Sequence, residues 1–191
     1  MLLALTFSAS AQQPGKIFRI GFLDNSTASS IAGLLDAFRQ ELRKLGWIEG
    51  KNIIIEYRFA EQKLERLPEL AADLVRLKVD VIVTSGGPTP LATKKATTTI
   101  PIVMASSVDP VGSGLVASLA RPGGNITGFS TLATELATKR LEILKDAVPR
   151  LTRVGILRQQ GANTQWNEIR PAAMALRSEE HTSELQSLAY L

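Results

Sequence analysis

The chain contains no cysteine. Disulfides, thiolate metal sites, cysteine nucleophiles and thioether lipid anchors are therefore excluded. Histidine occurs once, as His181 near the C-terminus. No apolar run approaches the roughly 18 residues of a membrane-spanning helix. The common cofactor and nucleophile loops are missing as well: there is no G-x-G-x-x-G, no G-x-x-x-x-G-K-[ST] and no G-x-S-x-G. A triad or a histidine-based metal site would rest on His181 alone. These absences point away from catalysis, and no residue pattern asks for a cofactor or a metal.

What remains is an ordinary globular composition, with 45% apolar and 21% charged residues in 191. The two ends differ from the rest. Leu2 to Phe7 is apolar, and Ala9-Ser10-Ala11 has the small-x-small pattern of a signal-peptidase site. Residues 1–11 therefore read as the remnant of a secretory signal peptide, without its basic leading region. At the other end, Arg177 to Ser187 resembles the translation of a sequencing-library adapter, so residues 177–191 are set outside the fold, and His181 goes with them. That tail holds one basic and three acidic residues of the chain's 22 and 18. The remaining charges are mixed in sign along the chain, and nucleic-acid binders concentrate basic charge on one face. A solvated surface is expected, with no nucleic-acid partner.

Between the ends, strands alternate with helices. Ile17–Leu23, Asn52–Phe59, Val79–Thr84, Ile100–Ala105, Asn125–Ser130 and Arg153–Leu157 are short apolar or β-branched runs. Apolar residues at three- and four-residue spacing predict helices from Ile31 to Leu45, Leu67 to Leu77, Leu136 to Val148 and Gln165 to Leu176. A shorter helix is expected from Ser85 to Thr97, and one helical turn from Leu115 to Ala120. This alternation predicts an α/β fold, a parallel sheet with helices on both faces. Ligands of such sheets sit beyond the carboxyl ends of the strands, where strand order reverses. The loops after the first, third and fourth strands therefore matter most.

The third of these strands runs into Thr84-Ser85-Gly86-Gly87-Pro88-Thr89-Pro90. Small residues admit close approach of a ligand, and a helix N-terminus offers amides and a positive dipole end. Ser85, Gly86, Gly87 and Thr89 are thus candidates for holding a carboxylate; the same loop also reads as a well-capped βα turn. Ser106 and Asp109 follow the fourth strand. Asp109 is suited to accept an ammonium or hydroxyl group, or to initiate an Asp-Pro turn. Asn25 and Ser26 follow the first strand, either as ligand contacts or as part of a Ser/Thr-rich cap for the next helix.

Residues 16 to 176 resemble the ABC-transporter substrate-binding proteins grouped with tryptophan/tyrosine-type binding components. The resemblance is carried, in order, by KIFRIGFL, FRQELRKLGWIEGKNIIIEYRFAE, RLPELAADLVRLKVDVIVTSGG, TIPIVM, DPVGSGLVASLARPGGNITGFS and KRLEILKDAVPRLTRVGIL. It implies a type I periplasmic-binding-protein fold, with two α/β lobes joined by crossing strands and the ligand clamped between them. Residues 12–132 would form the first lobe, 133–176 the incomplete start of the second, with a hinge near Ser130 to Thr134. The implied function is that of a periplasmic receptor. It would deliver a small polar ligand, such as an amino acid or other carboxylate, to permease subunits in the inner membrane. A ligand clasped by one lobe stays half solvated, so weak binding is expected of this chain alone. A ligand-sensing module of the same fold, as in a repressor core or receptor ectodomain, is the alternative. A repressor would need a headpiece before Ile17, and the sixteen residues there read as a signal.

Overall fold

The computed structural model describes residues 16–131, 135–151, 154–157, 170–171, 181–185 and 188–190. The signal-peptide reading, most of the expected hinge and most of the Gln165–Leu176 helix lie outside these residues.

Five parallel strands carry the fold: β1 (Phe18–Asp24), β2 (Ile53–Phe59), β3 (Val81–Ser85), β4 (Ile102–Ser107) and β5 (Ile126–Ser130). Their order in the sheet is β2-β1-β3-β4-β5. Three helices connect them: α1 (Ala32–Lys44), α2 (Leu67–Arg76) and α3 (Thr89–Ala96). A further helix, α4 (Glu135–Ala147), follows β5. A separate antiparallel sheet pairs β6 (Gly155–Leu157) with β7 (His181–Leu185) and β8 (Leu188–Tyr190), in the order β6-β8-β7. Two of those strands belong to the segment that the adapter resemblance sets outside the fold.

Alternation along the strands divides the core into two layers. Ile20, Phe22, Ile53, Ile55 and Val83 face α1 and pack with Leu35, Phe38 and Leu42. Leu23, Ile82, Ile102, Met104 and Ile126 face the other way, toward Leu67, Ala71 and Leu74 of α2. Strands buried on both sides need apolar residues at successive positions, which is why these segments read as continuous apolar runs. Full burial of one such Leu or Ile contributes about 1.5–3 kcal/mol. Phe22 anchors an aromatic cluster on the α1 side, 5.9 Å from Phe38 and 6.0 Å from Tyr57 between ring centroids. Pro68 sits in the first turn of α2, where its missing N–H costs nothing.

The predicted helical turn at Leu115–Ala120 is absent. The turn lies earlier, at residues 110–114. The Ser113 N–H donates to the Asp109 carbonyl at 3.1 Å, and the Gly114 N–H to that of Val111 at 2.9 Å. Leu115 and Val116 both donate to the Pro110 carbonyl and drop into the core as irregular chain.

Candidate functional site

Strand order reverses between β1 and β3: the chain goes outward to β2 from β1, then crosses to β3 on the opposite side. The carboxyl ends of β1 and β3 therefore flank the switch point, the crevice where open α/β sheets of this order take ligands. Leu23 pairs with Thr84, so the next positions, Asp24 and Ser85, stand side by side at its mouth.

On the β3 side, Gly86 and Gly87 have φ of +55° and +51°, a left-handed turn that side chains resist. This turn leads into α3, whose N-cap is Pro88 and whose second residue is Pro90. Neither proline carries an N–H, so Thr89 and Leu91 supply the amides of the first turn. The Gly86 N–H is already committed to the Ser106 carbonyl at 3.0 Å. Fewer free amides are left in this turn than the loop sequence suggests. Thr84, Thr89 and Thr93 are all fully buried. The Thr93 hydroxyl donates to the Thr89 carbonyl at 3.0 Å. The hydroxyls of Thr84 and Thr89 are buried with no hydrogen-bond partner among the described residues.

Ser106 belongs to β4 and is not in the loop beyond it. Thr84 pairs with Met104 but Ser85 pairs with Ser106, so Ala105 is an extra residue in the ladder. Such bulges re-aim side chains at sheet rims. Ser85 and Ser106 are thereby brought level at the carboxyl edge, each half-buried.

On the β1 side, the Asp24 carboxylate accepts the Ser26 N–H at 2.7 Å and also the Ser26 hydroxyl. Asn25 donates a long 3.5 Å contact to the Gln62 side chain, and its Oδ1 is buried without a partner among the described residues. The Ser/Thr run does not cap α1: no side-chain hydrogen bond reaches that helix start. Thr27 and Ser30 instead bond to each other. Asp109 closes its own turn, its Oδ1 accepting the Gly112 N–H at 2.8 Å. The turn-initiating reading of Asp109 is thus realised in the structure, and its carboxylate lies against Gly112.

The switch point thus gathers Asn25, Ser26, Ser85, Gly86, Gly87, Thr89 and Ser106 along one edge, with Asp109 in the loop after β4. Sequence reasoning missed two residues here. Thr84 reads as one more β-branched strand residue, and only its pairing with Leu23 and Met104 shows a hydroxyl in an apolar layer. Asp24 reads as the start of a polar loop, yet it ends β1 as a buried acid. A cleft of about 240 Å³ lies over β5. Met104, Pro110, Val116 and Phe129 help to line it, and no ionisable residue does.

Comparison with known proteins converges on one family. The family model described as ABC transporter substrate binding protein matches residues 24–177. A tyrosine-binding protein of Clostridioides difficile is 34% identical over 120 residues, which is 63% of this chain and 34% of that protein. The crystal structure of a conserved domain protein from Vibrio cholerae superposes with a TM-score of 0.77 at 27% identity, covering 86% of this chain and 56% of its own. A Streptococcus pneumoniae ABC domain in complex with L-Trp has a TM-score of 0.69 at 23% identity, over 84% of this chain and 55% of its own. The chain thus spans about a third of the curated relative and about half of each solved structure. The family model covers most of the chain, and the chain belongs to the ABC transporter substrate-binding protein family.

Proposed function

We propose that this chain provides one ligand-binding lobe of an ABC importer's extracytoplasmic receptor, in the periplasm, handing its ligand to permease subunits in the inner membrane. The ligand is a small carboxylate of the amino-acid class, bound along the carboxyl edge of β1, β3 and β4. Ser85, Gly87 and Thr89 hold the carboxylate, with Gly86 shaping the turn and Ser106 completing the edge. Asn25 and Ser26 contribute from the β1 loop, and Asp109 braces the β4 loop.

The observation that carries this reading is the pair of buried hydroxyls, Thr84 near the end of β3 and Thr89 at the start of α3, that have no partner among the described residues. A buried hydroxyl without a partner costs about 1–3 kcal/mol in proteins. A site that waits for a ligand has a reason to keep them. The helix dipole at the same end favours a negative group. The tyrosine- and tryptophan-binding relatives support a ligand that bears a carboxylate.

The test is an NMR titration of the full chain with L-tryptophan and with tryptamine, which lacks the carboxylate. One lobe alone is expected to bind L-tryptophan at about millimolar Kd, near −4 kcal/mol. Amide shifts should centre on Ser85 to Leu91, and tryptamine should leave them in place. Equal shifts with tryptamine, or shifts confined to other surfaces, would refute the assignment.

A further inference from the structure

In a parallel sheet every connecting helix returns the chain to the same edge. The last turns of α1, α2 and α3 and the starts of the strands therefore lie together, at the end opposite the switch point. That edge is basic. Arg43 and Lys44 lie in the last turn of α1 and Lys95 in that of α3, while Lys16, Lys51 and Lys78 stand just ahead of β1, β2 and β3. Those three strands are neighbours, so their starts span about 10 Å, two strand spacings. The acids of this edge are paired: Glu41 with Lys44, Glu49 with Arg39, Asp80 with Lys16, and Asp73 with Arg58 and Arg76. Arg43, Lys51, Lys78 and Lys95 are exposed and enter no ion pair among the described residues. Helix dipoles account for Arg43 and Lys95 but not for Lys51, which precedes a strand.

The same edge holds large apolar side chains in the open. Leu45 is 75% exposed and Ile17 51%, with Phe18, Trp47 and Ile48 each more than a third exposed. The fold gathers these two segments. The Trp47 ring stands edge-on to Phe18, 5.6 Å between centroids, and Lys16 Nζ lies 4.7 Å from the Phe18 ring centre. The turn that presents them is fixed by hydrogen bonds. The Asn52 side chain accepts the Ile48 N–H at 2.7 Å and donates to the Gly46 carbonyl at 2.8 Å, and the Trp47 N–H donates to the Leu42 carbonyl at 2.8 Å. Exposed apolar residues scattered singly are ordinary, whereas a cluster marks an interaction surface.

We propose that this edge docks on an anionic lipid surface, with Leu45, Trp47, Ile48 and Ile17 entering the headgroup region and the unpaired cations meeting lipid phosphates. Charge complementarity selects an anionic partner, and the apolar tip selects a bilayer among anionic partners. Tryptophan favours the membrane interface, and amphipathic surfaces with basic flanks bind there. A nucleic-acid backbone would meet the cations but leave Leu45 and Ile48 in water. The seven residues of β1 hold this edge about 20 Å from the switch point, so docking leaves the crevice open. The inference is independent of the ligand proposed above.

The test is co-sedimentation of the full chain with vesicles of phosphatidylcholine, and of phosphatidylcholine and phosphatidylglycerol in equal parts. The chain should bind the anionic vesicles, release them in high salt and bind the neutral ones far more weakly. Each basic residue near an anionic bilayer contributes about 5-fold in affinity, so Arg43→Gln with Lys51→Gln should weaken binding about 25-fold. Leu45→Ser, at an exposed position, should weaken it about 5-fold or more. In a Trp166→Phe background, Trp47 emission should shift to the blue on anionic vesicles. No sedimentation with the anionic vesicles, or equal binding to both kinds, would overturn the proposal whether or not any variant folds. Binding that survives both sets of substitutions runs through another segment, such as the apolar N-terminus, and also overturns it. So does sensitivity to the charge changes alone, with Leu45→Ser and Trp47 emission unaffected, because the edge would then be a general polycation that serves nucleic acid or an acidic protein equally well.

Discussion

Thr84, Thr89 and Thr93 offer an internal comparison that few proteins provide. All three are fully buried, and two of them lie one helical turn apart on α3. Thr93 donates its hydroxyl to the Thr89 carbonyl at 3.0 Å, while the hydroxyls of Thr84 and Thr89 have no partner among the described residues. Replacing each with valine removes the hydroxyl and keeps the branched shape. Threonine and valine have similar helix propensities, and both suit a strand, so the backbone term nearly cancels. At Thr93 a made hydrogen bond is lost, which should destabilise the protein by about 0.5–1.5 kcal/mol. At Thr84 and Thr89 an unsatisfied polar group is removed instead, which should stabilise by about 1–2 kcal/mol each. Urea denaturation reads the difference directly. With a slope of about 1–3 kcal/mol per molar, the midpoint should rise by about 0.3–2 M for Thr84→Val and Thr89→Val, and fall for Thr93→Val. Thr89→Val should also weaken L-tryptophan binding, so that stability and affinity move in opposite directions. If Thr89→Val destabilises the protein as Thr93→Val does, the hydroxyl has a partner such as a bound water. These hydroxyls then do not await a ligand.

Two further outcomes test the frame around the site. Gly128 in β5 has φ of +144°, and a Cβ there would lie 2.1 Å from the Met104 carbonyl oxygen. Gly128→Ala should cost at least about 2–3 kcal/mol through backbone strain and clash, and should speed hydrogen exchange of β5 amides more than those of β1; unchanged β5 protection would contradict the close packing. The hydrogen bond from Arg58 to Asp73, at 2.6 Å, with help from Arg76, holds the Asp73 carboxyl below its ordinary range. A depressed pKa contributes stability that is fully present above the unfolded value, near 3.9, and is lost as pH falls through the folded value. Urea midpoints measured from pH 5 down to pH 2 should therefore fall more steeply in the unmodified chain than in Arg58→Gln. Parallel curves would show that this pair does not contribute to acid sensitivity.

Most of the sheet was legible because its strands are buried on both faces and declare themselves as apolar runs. Ile17–Leu23 was expected and Phe18–Asp24 is observed; Val79–Thr84 was expected and Val81–Ser85 is observed. The displacement is in one direction, toward the carboxyl end. Hydrophobicity marks where a strand is covered by helices, but the ladder runs on for a residue or two after the cover ends. Those last residues carry polar side chains and read as loop. In a sheet of this order they are also the residues that meet a ligand. Asp24, Ser85 and Ser106 all fall in that margin, each closing or nearly closing its strand. Sequence periodicity points to these loops for this reason and misplaces the strand ends that open them. Ser106 needed the bulge at Ala105, which no composition signals. Asp109 was ambiguous between ligand and turn because an Asp-Pro step serves both, and only the Gly112 N–H on its carboxylate separates them. Asp24 shows the limit most sharply. Its neighbours Asn25 and Ser26 stand out for their hydrogen-bonding groups, while the acid beside them reads only as the start of a polar loop. A charge becomes informative only once its burial is known, and burial at a strand end depends on what the next strand and helix place over it. The loops that sequence can name and the groups that chemistry requires there are thus separated by one residue of register.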